Sequence, residues 1–209
     1  MKISIITVCY NSEATLARTI KSVLAQKNVE LEYLIIDGNS TDNTVQIAKS
    51  FKSQFAEKNI SYQIKSEPDN GIYDAMNKGI QLATGDIIGI LNSDDWYADD
   101  TVLACVADGF WKNQTETLYG NLLYVKNGKP YRYWRSGKFH TFRHGWMPPH
   151  PSFFVTKEAY KKYGTYRLDC GVNADYEFLL RILEKEKVTT CWIDKVFVNM
   201  SAGGTSDNG

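Results

Sequence analysis

Short apolar stretches alternate with helix-like segments through the first hundred residues. The four predicted strands are rich in Ile, Leu and Val and span Ile3 to Tyr10, Leu31 to Asp37, Ile60 to Ser66 and Asp86 to Leu91. Between them, apolar residues recur at helical spacing in three groups: Leu16, Ile20, Val23 and Leu24; Val45, Ala48, Phe51 and Phe55; and Ile72, Met76, Gly79 and Ala83. Ser12 can cap the first helix, and Gly85 can end the third. The alternation predicts an α/β fold in which helices flank a central, mostly parallel sheet.

The second half of the chain has a different pattern. After a helix near Thr101 to Trp111, Asn127-Gly128 separates two strand-like stretches and predicts a β-hairpin. A short strand follows Pro149-His150-Pro151, and helices are predicted up to Gly164 and from about Ala174 to Lys185. We therefore interpret residues 1–209 as one domain with two halves, residues 1–100 and residues 101–209.

Composition narrows the choice of partners. The chain has 24 basic and 24 acidic residues, so its zero net charge does not favour nucleic acid as a partner. The four cysteines form no CxxC pair, which argues against a zinc site or a disulfide framework. The apolar amino-terminal stretch is too short for a signal sequence, and no stretch is long enough to span a membrane. We expect a cytoplasmic protein.

Polar side chains follow each of the four predicted strands. Carboxyl ends of parallel strands meet at one edge of a sheet, so these residues should converge on one crevice. Singly, each could be a turn former or a helix cap. Carboxylates in such a crevice suit a divalent cation bound to phosphate oxygens. The residues are Thr7, Tyr10 and Asn11 in the first loop, Asp37 in the second, Glu67 and Asp69 in the third, and Asn92, Ser93, Asp94 and Asp95 in the fourth.

Each of the four loops belongs to a longer motif. The motifs are Ile6-Thr7-Val8-Cys9-Tyr10-Asn11, Ile35-Ile36-Asp37-Gly38-Asn39-Ser40-Thr41-Asp42, Glu67-Pro68-Asp69-Asn70-Gly71-Ile72-Tyr73-Asp74-Ala75-Met76-Asn77-Lys78-Gly79 and Asn92-Ser93-Asp94-Asp95. With these motifs, the last as the DxD element, the sequence resembles the inverting family 2 glycosyltransferases of the GT-A fold over nearly its whole length. GxGxxG and GxxxxGK[ST] are absent, which disfavours a dinucleotide enzyme or an ATPase.

The resemblance implies roles for the loop residues. The nucleoside of a sugar nucleotide would be contacted by Thr7, Asn11, Asp37 and Asp69, and Tyr10 could stack on the base. Asp94 would bind Mn²⁺ or Mg²⁺, with Asp95 as a second candidate ligand. The sequence departs from the family at two positions. Asn92 replaces the first acid of the DxD element and fits a ribose or sugar hydroxyl better, with Ser93 beside it; Gly38 stands where many relatives have a second acid.

The resemblance makes residues 1–100 the nucleotide-binding half and residues 101–209 the acceptor-binding half, and it places the catalytic base in the second half. Inverting transfer needs a carboxylate that accepts the proton of the acceptor hydroxyl. Asp175 aligns with the base of the family, although an acid in a first helical turn also has a structural explanation. Glu177 would face elsewhere on the helix. His150 could reach the diphosphate or the acceptor, or could simply be packed.

The resemblance implies transfer of a sugar from a UDP-linked donor to a saccharide with inversion, in bacterial surface polysaccharide or O-antigen assembly. The acceptor could be carried on a polyprenyl diphosphate. The aromatic and basic stretch from Tyr131 to Trp146, including Trp134 and Arg135, could stack on an acceptor sugar, hold a lipid diphosphate, contact the inner face of the membrane, or be an ordinary hairpin. Ser201 to Ser206 resembles a segment that closes over the diphosphate. A metal-dependent nucleotidyltransferase and a saccharide-binding module are the alternatives.

Overall fold

The computed structural model describes residues 1–202, and these form a nine-stranded sheet with helices on both faces. The strands are β1 (Lys2–Cys9), β2 (Glu30–Asp37), β3 (Ser61–Ser66), β4 (Ile87–Ile90), β5 (Trp96–Tyr97), β6 (Thr117–Lys126), β7 (Lys129–Trp134), β8 (Phe153–Thr156) and β9 (Thr190–Ser201). The helices are α1 (Leu16–Leu24), α2 (Thr44–Ser50), α3 (Lys52–Glu57), α4 (Ile72–Leu82), α5 (Val102–Asn113), α6 (Lys157–Tyr163) and α7 (Ala174–Leu180), which continues as a π-helical turn over Arg181–Lys185.

A block of four parallel strands carries the predicted nucleotide loops. Its order is β3-β2-β1-β4, and β1 runs parallel to both β2 and β4. The sheet continues as β8-β6-β9-β5, with β8 antiparallel to β4 and with β6 parallel to β9. The α/β fold with flanking helices is confirmed. Because the carboxyl ends of β1 to β4 share one edge, their loops lie side by side.

Two apolar layers hold the helices to the sheet. Ile3, Ile5 and Tyr33 point into one layer, which is completed by α1, α2, α3 and α5. Ile6 and Leu34, their alternate neighbours on the strands, point into the other, which is completed by α4, α6 and α7. Successive strand residues face opposite sides, so a strand covered on both faces is apolar throughout. This explains why the strand signal was a continuous run.

Two expected helix boundaries are wrong. Helix α1 begins at Leu16 rather than at Ser12, whose hydroxyl bonds the Ser93 hydroxyl (2.9 Å) and so joins two loops instead of capping the helix. Helix α4 ends at Leu82, before Gly85. A Cβ on Gly85 would lie 2.8 Å from the carbonyl oxygen of Lys2, so this glycine permits a close approach to β1. Ile72, which the sequence grouped with the apolar positions of this helix, is exposed.

The hairpin prediction is confirmed, and two further strands were not predicted. Strands β6 and β7 pair antiparallel around Asn127 and Gly128, which both have positive φ (51° and 73°), as a type I′ turn requires. Strand β9 was missed because its pairing with β6 is interrupted by register shifts, so the burial of its side chains does not alternate. Strand β5 has only two residues.

Candidate active site

The first and second loops are bonded to each other through Asn11. The main chain of Asn11 has φ 47°, its N–H donates to Ser40 Oγ (2.8 Å), and its Oδ1 accepts from the N–H of Thr41 (2.9 Å). Thr7 lies deeper: it is fully buried, and its hydroxyl accepts from the Tyr33 hydroxyl (3.0 Å). Asn11 is therefore at the crevice edge, whereas the Thr7 side chain is used within the core.

Asp37 organises the second loop from a buried position. It is 1 % exposed, and Oδ2 accepts from the N–H of Ser40 (3.0 Å) and from the Ser66 hydroxyl (2.6 Å). The Ser40 hydroxyl donates to the other oxygen. These bonds hold the loops after β2 and β3 together. A base contact by Asp37 stays a prediction.

Gly38 leaves the space that the Asp69 carboxylate occupies. A Cβ at position 38 would lie 2.6 Å from Asp69 Oδ2 and 3.5 Å from the ring of Tyr10. Asp69 Oδ1 accepts from the N–H of Gly71 (2.9 Å), and Tyr10 is 63 % exposed. The half-buried Asp69 carboxylate and the open Tyr10 ring thus lie together across Gly38, which is where a base and its N–H groups could be recognised. The departure at Gly38 has a steric reason in this chain.

The fourth loop contains one orphaned buried acceptor. Asn92 Nδ2 donates weakly to Asp95 Oδ2 (3.4 Å), whereas Asn92 Oδ1 is buried without a partner among the described residues. The Ser93 hydroxyl is bonded to Ser12, as described above. A buried oxygen without a donor is costly, so a ligand hydroxyl or cation at Asn92 would relieve that cost.

The two acids of this loop have different surroundings. Burial raises the pKa of Asp94, and the positive charge of the nearby Arg18 guanidinium partly offsets that rise. Burial, and then the Asp94 charge, raise the pKa of Asp95 well above its usual range, while the N–H of Ser201 stabilises its charged form. Asp95 is 1 % exposed and accepts that N–H at 3.2 Å. Asp95 therefore anchors the end of β9, and Asp94 is the more accessible carboxylate.

The residues present fit a divalent cation only together with a ligand. Within residues 1–202 no group of three or more His, Cys, Asp or Glu side chains is arranged to hold a metal. Mg²⁺ and Mn²⁺ bound with phosphates commonly take one or two protein oxygens and complete their shell from phosphate and water. Asp94 could supply the carboxylate and Asn92 the orphaned oxygen. The buried charge of Asp94 would be compensated by such a cation.

Sequence reasoning did not find Arg18. Its guanidinium lies 3.7 Å from the centre of the Trp96 ring and donates to the carbonyl of Asp94 (2.7 Å) and to Ser201 Oγ (2.8 Å). Arg18 therefore ties the acidic loop to the end of β9. Its exposed position on α1 gave no signal. Of the expected closing segment, residues 203–206 lie outside the described residues.

Asp175 lies in the first turn of α7, within a cluster of aromatic groups. The Tyr73 hydroxyl donates to the carbonyl of Val172 (3.1 Å). Burial, and then the charge of Asp175, raise the pKa of Tyr73, so the two groups are close. Because Tyr73 belongs to α4, which begins at the Asp69 loop, the predicted base adjoins the nucleotide loops.

His150 is packed beside this cluster. It is 8 % exposed, and Nε2 lies 2.6 Å from the Tyr166 hydroxyl. Burial lowers the pKa of His150, which favours the neutral imidazole, and the charge of Asp175 opposes that effect. Asn77 of α4 holds the main chain of Tyr166 by two hydrogen bonds, at 2.8 and 3.0 Å. His150 thus supports the wall behind Asp175. Tyr73 and Asn77, within the third motif, were not singled out from the sequence.

Glu177 has a structural partner. Its carboxylate accepts from Arg181 Nε (2.8 Å) and Nη2 (3.1 Å). The same guanidinium donates to the carbonyls of Tyr163 and Thr165. Glu177 therefore anchors the loop after α6 and faces away from Asp175, as the helical spacing predicted. Glu67, from the third loop, pairs with Lys65 and Lys78, each at 3.2 Å.

The aromatic and basic stretch is only partly available to a partner. The Trp134 ring stacks on Tyr124, with centroids 6.3 Å apart. Arg135 forms a two-bond ion pair with Asp194 and lies over the Trp192 ring. The two residues first expected to serve an acceptor are thus engaged within the fold, and the exposed rings are Tyr131, Tyr133 and Phe139.

Comparisons with known proteins agree with this arrangement. The family model described as "Glycosyl transferase family 2" matches residues 4–186. An uncharacterized glycosyltransferase of Mycobacterium tuberculosis is 34 % identical over 190 residues, which cover 86 % of this chain and 68 % of that protein. A PGL/p-HBAD biosynthesis glycosyltransferase of Mycobacterium bovis is 29 % identical over 208 residues, covering 98 % of this chain and 78 % of that protein.

Solved structures share the fold at low sequence identity. S. aureus TarS 1–349 has a TM-score of 0.77 and 19 % identity, over 96 % of this chain and 60 % of that one. A mannosyltransferase of Pyrobaculum calidifontis, solved with GDP-Man and Mn²⁺, has a TM-score of 0.72 and 16 % identity, over 97 % of this chain and 57 % of that one. The present chain thus spans about 60 % of these structures.

The fold is that of the GT-A glycosyltransferases, as the sequence predicted. The family match covers most of the chain, and the chain belongs to glycosyl transferase family 2. The family match favours a glycosyltransferase over the nucleotidyltransferase and the saccharide-binding module that the sequence left open. No helix within the described part of the chain is long and apolar enough to cross a membrane.

Proposed function

We propose that the enzyme transfers a sugar from a UDP-linked donor to a saccharide hydroxyl with inversion at the anomeric carbon. Residues 1–100 would bind the donor and residues 101–209 the acceptor. One observation carries this proposal: α4 begins at the Asp69 loop and contacts the main chain beside Asp175 through Tyr73. An acid that could accept a proton thereby stands next to loops that could hold a nucleotide.

The donor would lie along the carboxyl edge of β1 to β4. Tyr10 would stack on the base, and Asp69 would accept a base N–H. The crevice would be shaped by Asn11, Asp37 and Ser93 through the hydrogen bonds described above. Thr7 would support it from the core side. Asn92 Oδ1 would accept a ribose hydroxyl or join Asp94 at the cation. A related fold has been solved with UDP and with UDP-GlcNAc, which supports a UDP donor.

The reaction is a direct displacement. The acceptor oxygen attacks the anomeric carbon as the bond to the diphosphate oxygen breaks, and the hydroxyl proton passes to the Asp175 carboxylate. Asp94, with Asn92, would hold Mn²⁺ or Mg²⁺, which would supply positive charge against the leaving diphosphate. Tyr73 and His150 hold the surroundings of Asp175, and Asp95 holds the end of β9 beside the acidic loop.

The proposed acceptor is an intermediate in the assembly of a surface glycan. Relatives named for PGL/p-HBAD biosynthesis and for chondroitin synthesis support a glycolipid or polysaccharide acceptor. An acceptor carried on a polyprenyl diphosphate would be met at the inner face of the cytoplasmic membrane, where the enzyme would act as a peripheral protein.

Product stereochemistry tests the proposal. A panel of UDP-sugars, with GDP-mannose for comparison, is incubated with Mn²⁺ and saccharide acceptors, and products are analysed by mass and by the anomeric proton coupling. We expect transfer from an α-linked UDP-sugar to give a β-linked product. A product that keeps the donor configuration would contradict the proposed mechanism, and failure to bind any UDP-sugar would contradict the proposed donor.

A further inference from the structure

The charge of this chain is strongly segregated along the sequence. Residues 117–157 contain seven of the 24 Lys and Arg residues and none of the 24 Asp and Glu residues. The remaining residues carry 17 basic and 24 acidic side chains, an excess of seven negative charges. The zero net charge therefore conceals one basic region, which comprises β6, β7, β8 and the segment between β7 and β8.

Five of these seven cations are free to meet a partner. Arg135 is paired with Asp194, and Lys157 donates to the carbonyl of Ala83 (2.7 Å). The other five are exposed, and none takes part in an ion pair within residues 1–202: Lys126, Lys129, Arg132, Lys138 and Arg143. Their charge is therefore not compensated locally.

Aromatic rings are exposed among the same cations. Tyr131 is 66 % exposed, Tyr133 50 % and Phe139 40 %. Lys126 Nζ lies 5.6 Å from the centre of the Tyr131 ring. Strand β7 pairs only with β6, so no strand in the described part of the chain pairs with its outer edge. Arg132 projects to one face of the hairpin, and Tyr131 and Tyr133 project to the other. We call these eight residues together the hairpin surface.

The hairpin surface fits an anionic bilayer better than a soluble polyanion. Clustered Lys and Arg are attracted to anionic headgroups, at about 1 kcal/mol per residue near the surface. Tyrosine favours the boundary between headgroups and acyl chains, because its ring is apolar and its hydroxyl is polar. Phe139 adds an apolar ring that a polyanion in water would leave exposed.

The turn end of the hairpin lies beside the acidic loop of the crevice. The carbonyl of Val125, near the end of β6, accepts from the N–H of Ala202 (2.8 Å). Its neighbour Ser201 bonds to Asp95 Oδ1 through the main chain (3.2 Å) and to the carbonyl of Asp94 through its hydroxyl (2.8 Å). A bilayer on the hairpin surface would therefore be next to the mouth of the crevice.

We propose that the hairpin surface docks the enzyme on anionic phospholipid. The docking itself does not rest on the proposed donor or acceptor, so it can fail or hold independently of them. Its consequence for catalysis does rest on the proposed function: an acceptor embedded in the bilayer would be presented at the crevice, whereas a soluble acceptor would gain nothing from docking.

Vesicle sedimentation tests the docking. The purified chain is mixed, at low and at high salt, with vesicles of phosphatidylcholine alone or of phosphatidylcholine with about 40 mol % phosphatidylglycerol. The phosphatidylglycerol gives the vesicles a strongly negative surface. The test variant is Lys126→Gln/Lys129→Gln/Arg132→Gln. The control removes three exposed lysines elsewhere, as Lys49→Gln/Lys52→Gln/Lys185→Gln. A second test variant, Tyr131→Ser/Phe139→Ser, removes aromatic area but no charge.

We expect the native chain to bind the anionic vesicles in a salt-sensitive manner. The triple charge variant should bind about a hundredfold more weakly, because each lost cation removes about 1 kcal/mol, and the control should bind nearly as well as the native chain. The aromatic variant should bind more weakly with the same salt dependence. The proposal would be overturned if the chain bound neutral and anionic vesicles equally, or if the charge variant and the lysine control lost equal affinity. Binding to soluble polyphosphate but not to vesicles would also overturn it. UDP affinity should be native in all variants, which separates this result from a failure of the donor site.

Discussion

Replacing Gly38 by alanine should weaken UDP binding by displacing Asp69. The new Cβ would lie 2.6 Å from Asp69 Oδ2, which is closer than the two atoms can approach, and 3.3 Å from Asp69 Cγ, which is a tight contact. The half-exposed carboxylate can move away, at the cost of its hydrogen bond to the N–H of Gly71. The free energy of unfolding should therefore fall by about 1 kcal/mol or less. A hydrogen bond from a base N–H to a charged acceptor is worth about 1.5–3 kcal/mol, which corresponds to about a 10- to 150-fold loss of UDP affinity.

A double-mutant cycle isolates the cause. Asp69→Ala removes the atoms that the new Cβ would contact, so Gly38→Ala should change UDP affinity by less than about twofold in that background. Calorimetric titration of UDP into the native protein, both single variants and the double variant gives the coupling. Equal losses from Gly38→Ala in both backgrounds, or native affinity of the single Gly38→Ala variant, would refute the assignment of Asp69.

Three further predictions concern the acidic loop and the surroundings of the base. UDP with Mn²⁺ at about 100 times its dissociation constant should stabilise the fold by about 2.7 kcal/mol, and Asp94→Asn should lose the Mn²⁺-dependent part of the melting shift; equal shifts would exclude Asp94 as a ligand. The raised pKa of Asp95 means that its stabilising contribution is complete below about pH 4, the value in the unfolded chain, and is lost as pH rises through the folded pKa. Without divalent cations, Asp95→Asn should therefore lose less stability than the native chain between acid and neutral pH in thermal unfolding, and parallel curves would contradict this. Tyr73→Phe removes the bond to Val172 and should lower kcat about five- to tenfold through misplacement of Asp175, with the donor KM unchanged; a change confined to KM would argue against positioning.

Local pattern was enough to predict the parallel half of the sheet. Strands buried on both faces are continuous apolar runs, and the helices between them keep one apolar face, so β1 to β4 and their loops could be placed. The turn at Asn127 and Gly128 was equally local, because few residues adopt positive φ at low cost. The resemblance to the family then supplied the site residues.

The remaining features depend on contacts between distant residues. Ser12 was read as a helix cap, but its hydroxyl is bonded to Ser93, 81 residues away. Strand β9 depends on an irregular pairing with β6 that its own sequence does not encode. The reason for a glycine at position 38 becomes visible only when the Asp69 side chain is placed beside it. Such pairings involve residues far apart in the chain, which no local period can show.

The rate of transfer by Asp175→Asn tests the central claim most directly. The amide keeps the size of the side chain but cannot accept the acceptor proton, so single-turnover transfer at saturating donor should fall by about 10²- to 10⁴-fold. Calorimetry should show native UDP affinity. Asp169→Asn, an exposed acid paired with Arg167 on the preceding segment, is the matched control and should transfer at a near-native rate. Near-native transfer by the Asp175→Asn enzyme would contradict the account.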